Sequence, residues 1–127
     1  MISRSLAIIP LTPTADHTGL EGYFVLATGA LVSSATATLP LGCITEGFPV
    51  TGKDSVALHN FGGIVKVKLG ATPGAVVAGS SLILQADGST KLDPGTGTAR
   101  IRVARALEAG VAQELIDAVL VDPAILA

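Results

Sequence analysis

Alternation with a period of two is the dominant pattern in this chain. In IVKVKLG, Val65, Val67 and Leu69 fall on one face while Lys66 and Lys68 fall on the other, as in a strand with one buried side and one wet side. ARIRV repeats the pattern, with Ile101 and Val103 set against Arg100 and Arg102. YFVLATG, LPLGCITEG, VALH and SSLILQADG are further β-capable runs, each followed by turn residues. Short strands at this spacing predict an all-β fold, a small β-sandwich or barrel-like domain. Asp87-Gly88 lies between two such runs and predicts a tight type I′ hairpin turn, which needs positive φ at both central residues. VALH is expected to pair with IVKVKLG through Asn60-Phe61-Gly62-Gly63. Leu107, Val111, Leu115 and Val119 recur at every fourth residue and would also fit a helix. Gly110 and the β-branched residues beyond it favour a turn and a final strand, ELIDAVLV.

Residues 1–22 lack any sustained period. Pro10 and Pro13 remove backbone donors and bias the preceding residues toward extended conformations, so an extended N-terminal arm is expected before a β domain at 23–127. A weaker echo runs through that domain. YFVLATG followed by GCITEG resembles LILQADG followed by RALEAG, each pair ending in a short acidic-Gly signature with Glu46 or Glu108. The echo suggests two similar halves.

Composition changes this picture in one respect. Hydrophobic residues make up 49% of the 127 and charged residues only 14%, which leaves little charge to cover a small domain and predicts apolar surface hidden in an assembly. A net charge of −2 argues against nucleic acid as a partner, because binding it requires a basic footprint. Residues 22–45 are uncharged, but Gly22, Gly29, Pro40 and Gly42 make them a poor spanning helix, and no membrane partner is expected. Pro10 interrupts the apolar run near the N-terminus before it reaches the length of a secretory core.

The search for chemistry returns little. Cys43 is the only cysteine, which excludes an internal disulfide, and LGCI reads as a buried apolar position. His17 and His59 have no metal-ligand spacing, so neither a metal nor a cofactor is expected. Cys43 and a histidine would have to meet in space to act together, and no motif brings them together. GATPGAVVAG and DPGTGT lack the Lys-Ser/Thr ending of a phosphate loop and read as turns. Glu46 and Glu108 read as exposed strand ends rather than a carboxylate pair. On this reading the chain is not an enzyme.

Two family resemblances follow from the segment around the Asp-Gly turn. VVAGSSLILQADG superficially resembles the run that leads to the modified lysine of lipoyl and biotinyl carrier domains. The tip here holds Asp87-Gly88, however, and Lys91 lies beyond it. A longer stretch, from about Leu41 to Val121, resembles the small capsid decoration, or cement, proteins of tailed bacteriophages. The matching positions are Val65, Val67, Leu69 and Gly70; Ala78, Gly79 and Leu82; Ala86, Asp87 and Gly88; and Val103, Ala106, Leu107 and Glu108. That resemblance implies a structural virion protein on the outer surface of the capsid, made in the host cytoplasm. It also implies the major capsid protein and further copies of itself, as a homotrimer, as partners. Leu6, Ile8, Ile9, Pro10 and Leu11 of the arm are then expected to contact the capsid or a neighbouring subunit. A host- or glycan-binding module on the virion is the alternative, although Tyr23, Phe24, Phe48 and Phe61 are a thin supply of aromatic platforms.

Overall fold

The computed structural model describes residues 7–97 and 99–126. The chain is all-β, and its described residues form nine strands in two antiparallel sheets. The smaller sheet contains β1 (Ile8–Leu11), β2 (Phe24–Val25), β3 (Gly42–Glu46) and β4 (Asp54–Leu58), in the order β1-β4-β3-β2. The larger contains β5 (Ile64–Lys68), β6 (Ser81–Leu84), β7 (Thr90–Leu92), β8 (Arg100–Ala106) and β9 (Leu115–Leu126), in the order β5-β9-β8-β6-β7. A parallel bridge between Leu69 and Thr90 brings the end of β5 back toward β7, so the larger sheet curls toward closure.

The two sheets repeat one topology. Replacing β1, β2, β3 and β4 by β5, β6, β8 and β9 converts one strand order into the other, and β7 takes the place of the chain at Leu31, which bridges to Val25. Registers correspond as well. Ile9↔Val56 and Val56↔Ile44 in the smaller sheet match Val65↔Ala118 and Ala118↔Ala106 in the larger. The bonds that lead into β2 and β6 also match. Gly22 N–H donates to the Ile44 carbonyl at 2.9 Å, and Gly79 N–H donates to the Ala106 carbonyl at 2.8 Å. The echo in the sequence is therefore a repeat of structure, and Glu46 and Glu108 follow β-paired residues at equivalent places, Ile44 and Ala106.

Both halves use the same turn. Gly88 N–H bonds the Gln85 carbonyl at 3.0 Å and Gln85 N–H bonds the Ser89 carbonyl at 2.8 Å. In the first half, Gly29 bonds Leu26 at 3.0 Å and Leu26 bonds Ala30 at 2.8 Å in the same way. Gly88 and Gly29 have φ of 90° and 94°, and Gln113 is the only non-glycine with positive φ among the described residues. Asp87 is thus not left-handed, and the expected type I′ turn is corrected. Three residues span the loop, as a type I turn with a glycine bulge, and only the third needs positive φ. Asp87 instead accepts hydrogen bonds from the Ser89 backbone and hydroxyl, which fixes the turn.

Two further expectations are revised. β5 pairs with β9, not with the VALH strand, which lies in the other sheet. A local hairpin yields here because β4 is already flanked on both sides by β1 and β3. Of the N-terminal segment, Ile8–Leu11 is an edge strand of the domain's own sheet, paired residue by residue with Asp54–Ala57, and residues 12–22 form a turn-rich connection. The boundary drawn at residue 22 therefore falls inside one packed unit. Ile9 and Leu11 pack against Val25, Ile44 and Val56 in the interior of the smaller half, and they are held by burial that an independent arm would not supply.

One large core joins the halves. Val65, Val67, Leu69, Leu82, Leu84, Ile101, Val103 and Ile116 fill the curled larger sheet, and Phe24, Cys43 and Ala57, from the outer face of the smaller sheet, pack into the same cluster. The strand pattern read from IVKVKLG and ARIRV holds: Val65, Val67, Ile101 and Val103 are buried and Lys66 is exposed.

The repeated turn generates a differential test. A Cβ on Gly29 would lie 2.0 Å from the Thr12 carbonyl oxygen, whereas on Gly88 it would meet the Phe24 carbonyl oxygen at 3.1 Å. Gly88→Ala should cost about 1 kcal/mol through its positive φ, and Gly29→Ala should cost clearly more, as measured by urea denaturation. Equal losses would show that backbone conformation alone sets the cost.

Candidate interaction surface

Most of the chain's polar chemistry is spent on holding the fold. His17 lies in the connection between β1 and β2, and its Nδ1 donates to Asp54 Oδ2 at 2.5 Å, with both side chains buried. The other Asp54 oxygen accepts the Phe48 N–H at 2.9 Å, while His17 N–H reaches the Phe48 carbonyl at 3.0 Å. The 12–22 connection is thereby clamped to the start of β4 and to the loop after β3. Neither residue was singled out as a pair in the sequence, since they stand 37 positions apart and no motif joins them.

Cys43 is fully buried, and its thiol donates to the carbonyls of Ile44 and Lys66 at 3.8 and 3.6 Å. Burial pushes its pKa up to about 12, which removes the thiolate that nucleophilic chemistry requires. His59, just after β4, stacks on Phe24 with ring centroids 5.9 Å apart. Its Nδ1–H donates to the Val121 carbonyl of β9 at 2.7 Å, while Nε2 is buried without a partner among the described residues. The two histidines and the cysteine are thus each engaged separately. No group of three or more potential metal ligands occurs among the described residues, and no helix is long and apolar enough to cross a membrane.

The surface offers an apolar cleft instead. It encloses about 420 Å³ and is lined by Glu21, Ile44, Thr45, Phe61, Ile64, Val65, Lys66 and Leu115. It runs along β5 at the junction of the halves. Ile64 is 62% exposed and Leu115 40%. On one rim, Lys66 Nζ contacts Asp117 at 2.8 Å and Glu108 at 4.0 Å; the hydrogen bond to Asp117 raises the lysine pKa. Of the residues expected to make external contacts, Ile8 and Pro10 face outward, Ile9 and Leu11 turn into the smaller core, and Leu6 lies outside the described residues. Sequence reasoning missed the cleft because its walls come from β3, β5, the 59–63 turn and β9.

No known family model matches the sequence, and no match is found among curated proteins.

Two predictions test the polar anchors. Asp54→Ala leaves the buried His17 ring and the Phe48 N–H without their acceptor, and should lower stability by about 3–5 kcal/mol in urea denaturation. For His59, burial lowers the pKa below its ordinary value, opposed by the Val121 hydrogen bond and by Asp122. The unfolded chain then binds the proton more readily. The stabilising contribution is complete above the unfolded pKa of about 6.5 and declines as pH falls below it. Thermal unfolding should show this loss between about pH 7.5 and 5 in the parent, with a smaller slope in His59→Gln.

Proposed function

We propose that this chain is a structural virion protein that binds the outer surface of a tailed-phage capsid and stabilises the assembled head. The observation that carries the reading is where the matched positions lie. Val65 and Val67 are on β5, Leu69 and Gly70 follow it, and Ala78, Gly79 and Leu82 lead into β6. Ala86-Asp87-Gly88 forms the turn, and Val103 and Ala106 lie on β8 with Leu107 and Glu108 just beyond. The scattered sequence matches thus fall on three strands of one sheet and in the turns that adjoin them. Their roles are in core and turn, which supports likeness of fold more directly than likeness of action.

The character of the surface supports a binding role. Ile64, Val77, Val111 and Ile125 are each more than half exposed, and Val50 is 53% exposed. In so lightly charged a chain these side chains are suited to burial against a partner. A protein that binds an assembled shell and not its separated subunits stabilises the shell by mass action. The partners in this reading are the major capsid protein and copies of the chain itself, arranged as a homotrimer.

Purified protein mixed with mature heads should co-sediment at saturating stoichiometry and raise the temperature at which the heads release DNA. Light scattering should return the mass of a trimer, free or on the head. Failure to sediment with heads from any phage that encodes the chain would overturn the reading.

A further inference from the structure

Each of the two sheets ends in strand edges, and unpaired edges recruit other strands unless they are blocked. The edges of this protein are treated unequally. The outer side of β2 takes up the chain at Leu31, and β7 is short and receives the Gly70 N–H at its Thr90 carbonyl, 2.9 Å away. On β1 the outward-facing positions are Ile8 and Pro10, and Pro10, which pairs across from Ser55, has no N–H to offer. The equivalent position on β5 is Lys66, opposite Asp117.

The direction of the β5 bonds follows from its neighbours. Leu69 N–H bonds the Glu114 carbonyl, so Val65 and Val67, of the same parity, point their backbone groups at β9. Lys68 points the other way, where its N–H bonds the Gly22 carbonyl at 3.0 Å. Ile64 and Lys66 share that outward parity. The Lys66 carbonyl takes the long contact from the Cys43 thiol, while no other segment among the described residues bonds the Lys66 N–H or the Ile64 backbone. Ile64 and Lys66 both line the apolar cleft, together with Leu115, Phe61 and Thr45.

We propose that the free edge of β5 is an acceptor for an extended strand from a partner protein, with apolar side chains at alternate positions. Backbone groups at strand spacing supply the affinity of such a contact, and the pockets beside them select the side chains. The chemistry fits a peptide backbone better than a compact ligand, because the polar groups presented are a donor and a donor-acceptor pair two residues apart on one edge. An incoming strand continues the line begun by Gly22 at Lys68. Its alternate side chains cover Ile64 and Leu115, which are otherwise left to water. The inference goes beyond the capsid reading and holds whether or not the partner is a capsid subunit.

The test uses the full chain, labelled with nitrogen-15, and a short acetylated peptide of alternating valine and threonine. Titration should shift the Ile64 and Lys66 amide signals, and saturating peptide should slow exchange of the Lys66 amide proton by about tenfold or more. The same peptide with alternate amides N-methylated should do neither. Lys66→Pro, which copies the Pro10 arrangement, should leave the remaining spectrum in place and lose peptide binding. The proposal is overturned if those amides do not respond, if the methylated peptide binds equally well and so reports only a greasy cleft, or if the Lys66→Pro protein folds and still binds. It is likewise overturned if the same amide shifts arise from concentration alone, because a second copy would then be the occupant. Should Lys66→Pro not fold, the methylated-peptide comparison on the parent chain decides the matter.

Discussion

The packing of Phe24, Cys43 and Ala57 into the interior of the larger sheet is the contact on which the other arrangements depend. These side chains are fully buried, yet they belong to the outer face of the smaller sheet, whose own interior is the modest cluster of Val25, Ile44 and Val56 with Ile9, Leu11, Leu20 and Leu31. A four-stranded sheet with so small an interior has little apolar area to offset its ordering entropy. Burial of its second face against the larger half supplies the missing area. His59 reinforces the joint, since it stacks on Phe24 of one half and bonds Val121 of the other.

The repeat explains why the stacking stops at two. The register places Arg105 of the larger sheet where the smaller has Cys43, Asp117 where it has Ser55, and Lys66 where it has Pro10. Cys43, buried against the other half, is thus exchanged for exposed Arg105, while Lys66 and Asp117 pair in water where the smaller sheet carries exposed Pro10 and half-buried Ser55. Charged substitutions at equivalent positions act as a cap on a repeat array. The exchange leaves the edge of β5 with its backbone unblocked beside exposed Ile64, which is where a partner strand is proposed to add.

Strand existence was legible in the sequence, because the alternation of Val65 to Leu69 and of Arg100 to Val103 reports burial on one face directly. Pairing was not. Whether β5 lies beside β4 or β9 is settled by packing over long separations, and local turn chemistry at Asn60 to Gly63 pointed the wrong way. The N-terminal segment was misread as an arm because Pro10 disrupts any periodic signal, although proline on the outward side of an edge strand is compatible with the fold. The two Gly-ended turns were visible as an echo, but the echo is faint since the second hairpin is longer than the first and the equivalent faces carry different residues. The His17–Asp54 clamp and the cleft depend on segments distant in sequence, and they left no local trace.

If the halves share one core, they must unfold together. Native-state amide exchange compares them directly, using the amide protons of Ala57 in β4 and Ala118 in β9, both at fully buried residues. Under increasing denaturant the two should converge on one opening free energy, to within about 0.5 kcal/mol, with the same dependence on denaturant. An Ala57 amide that exchanged through a separate, lower-energy opening with a shallower slope, while Ala118 stayed protected, would show that the smaller half is an independent unit and would contradict the account.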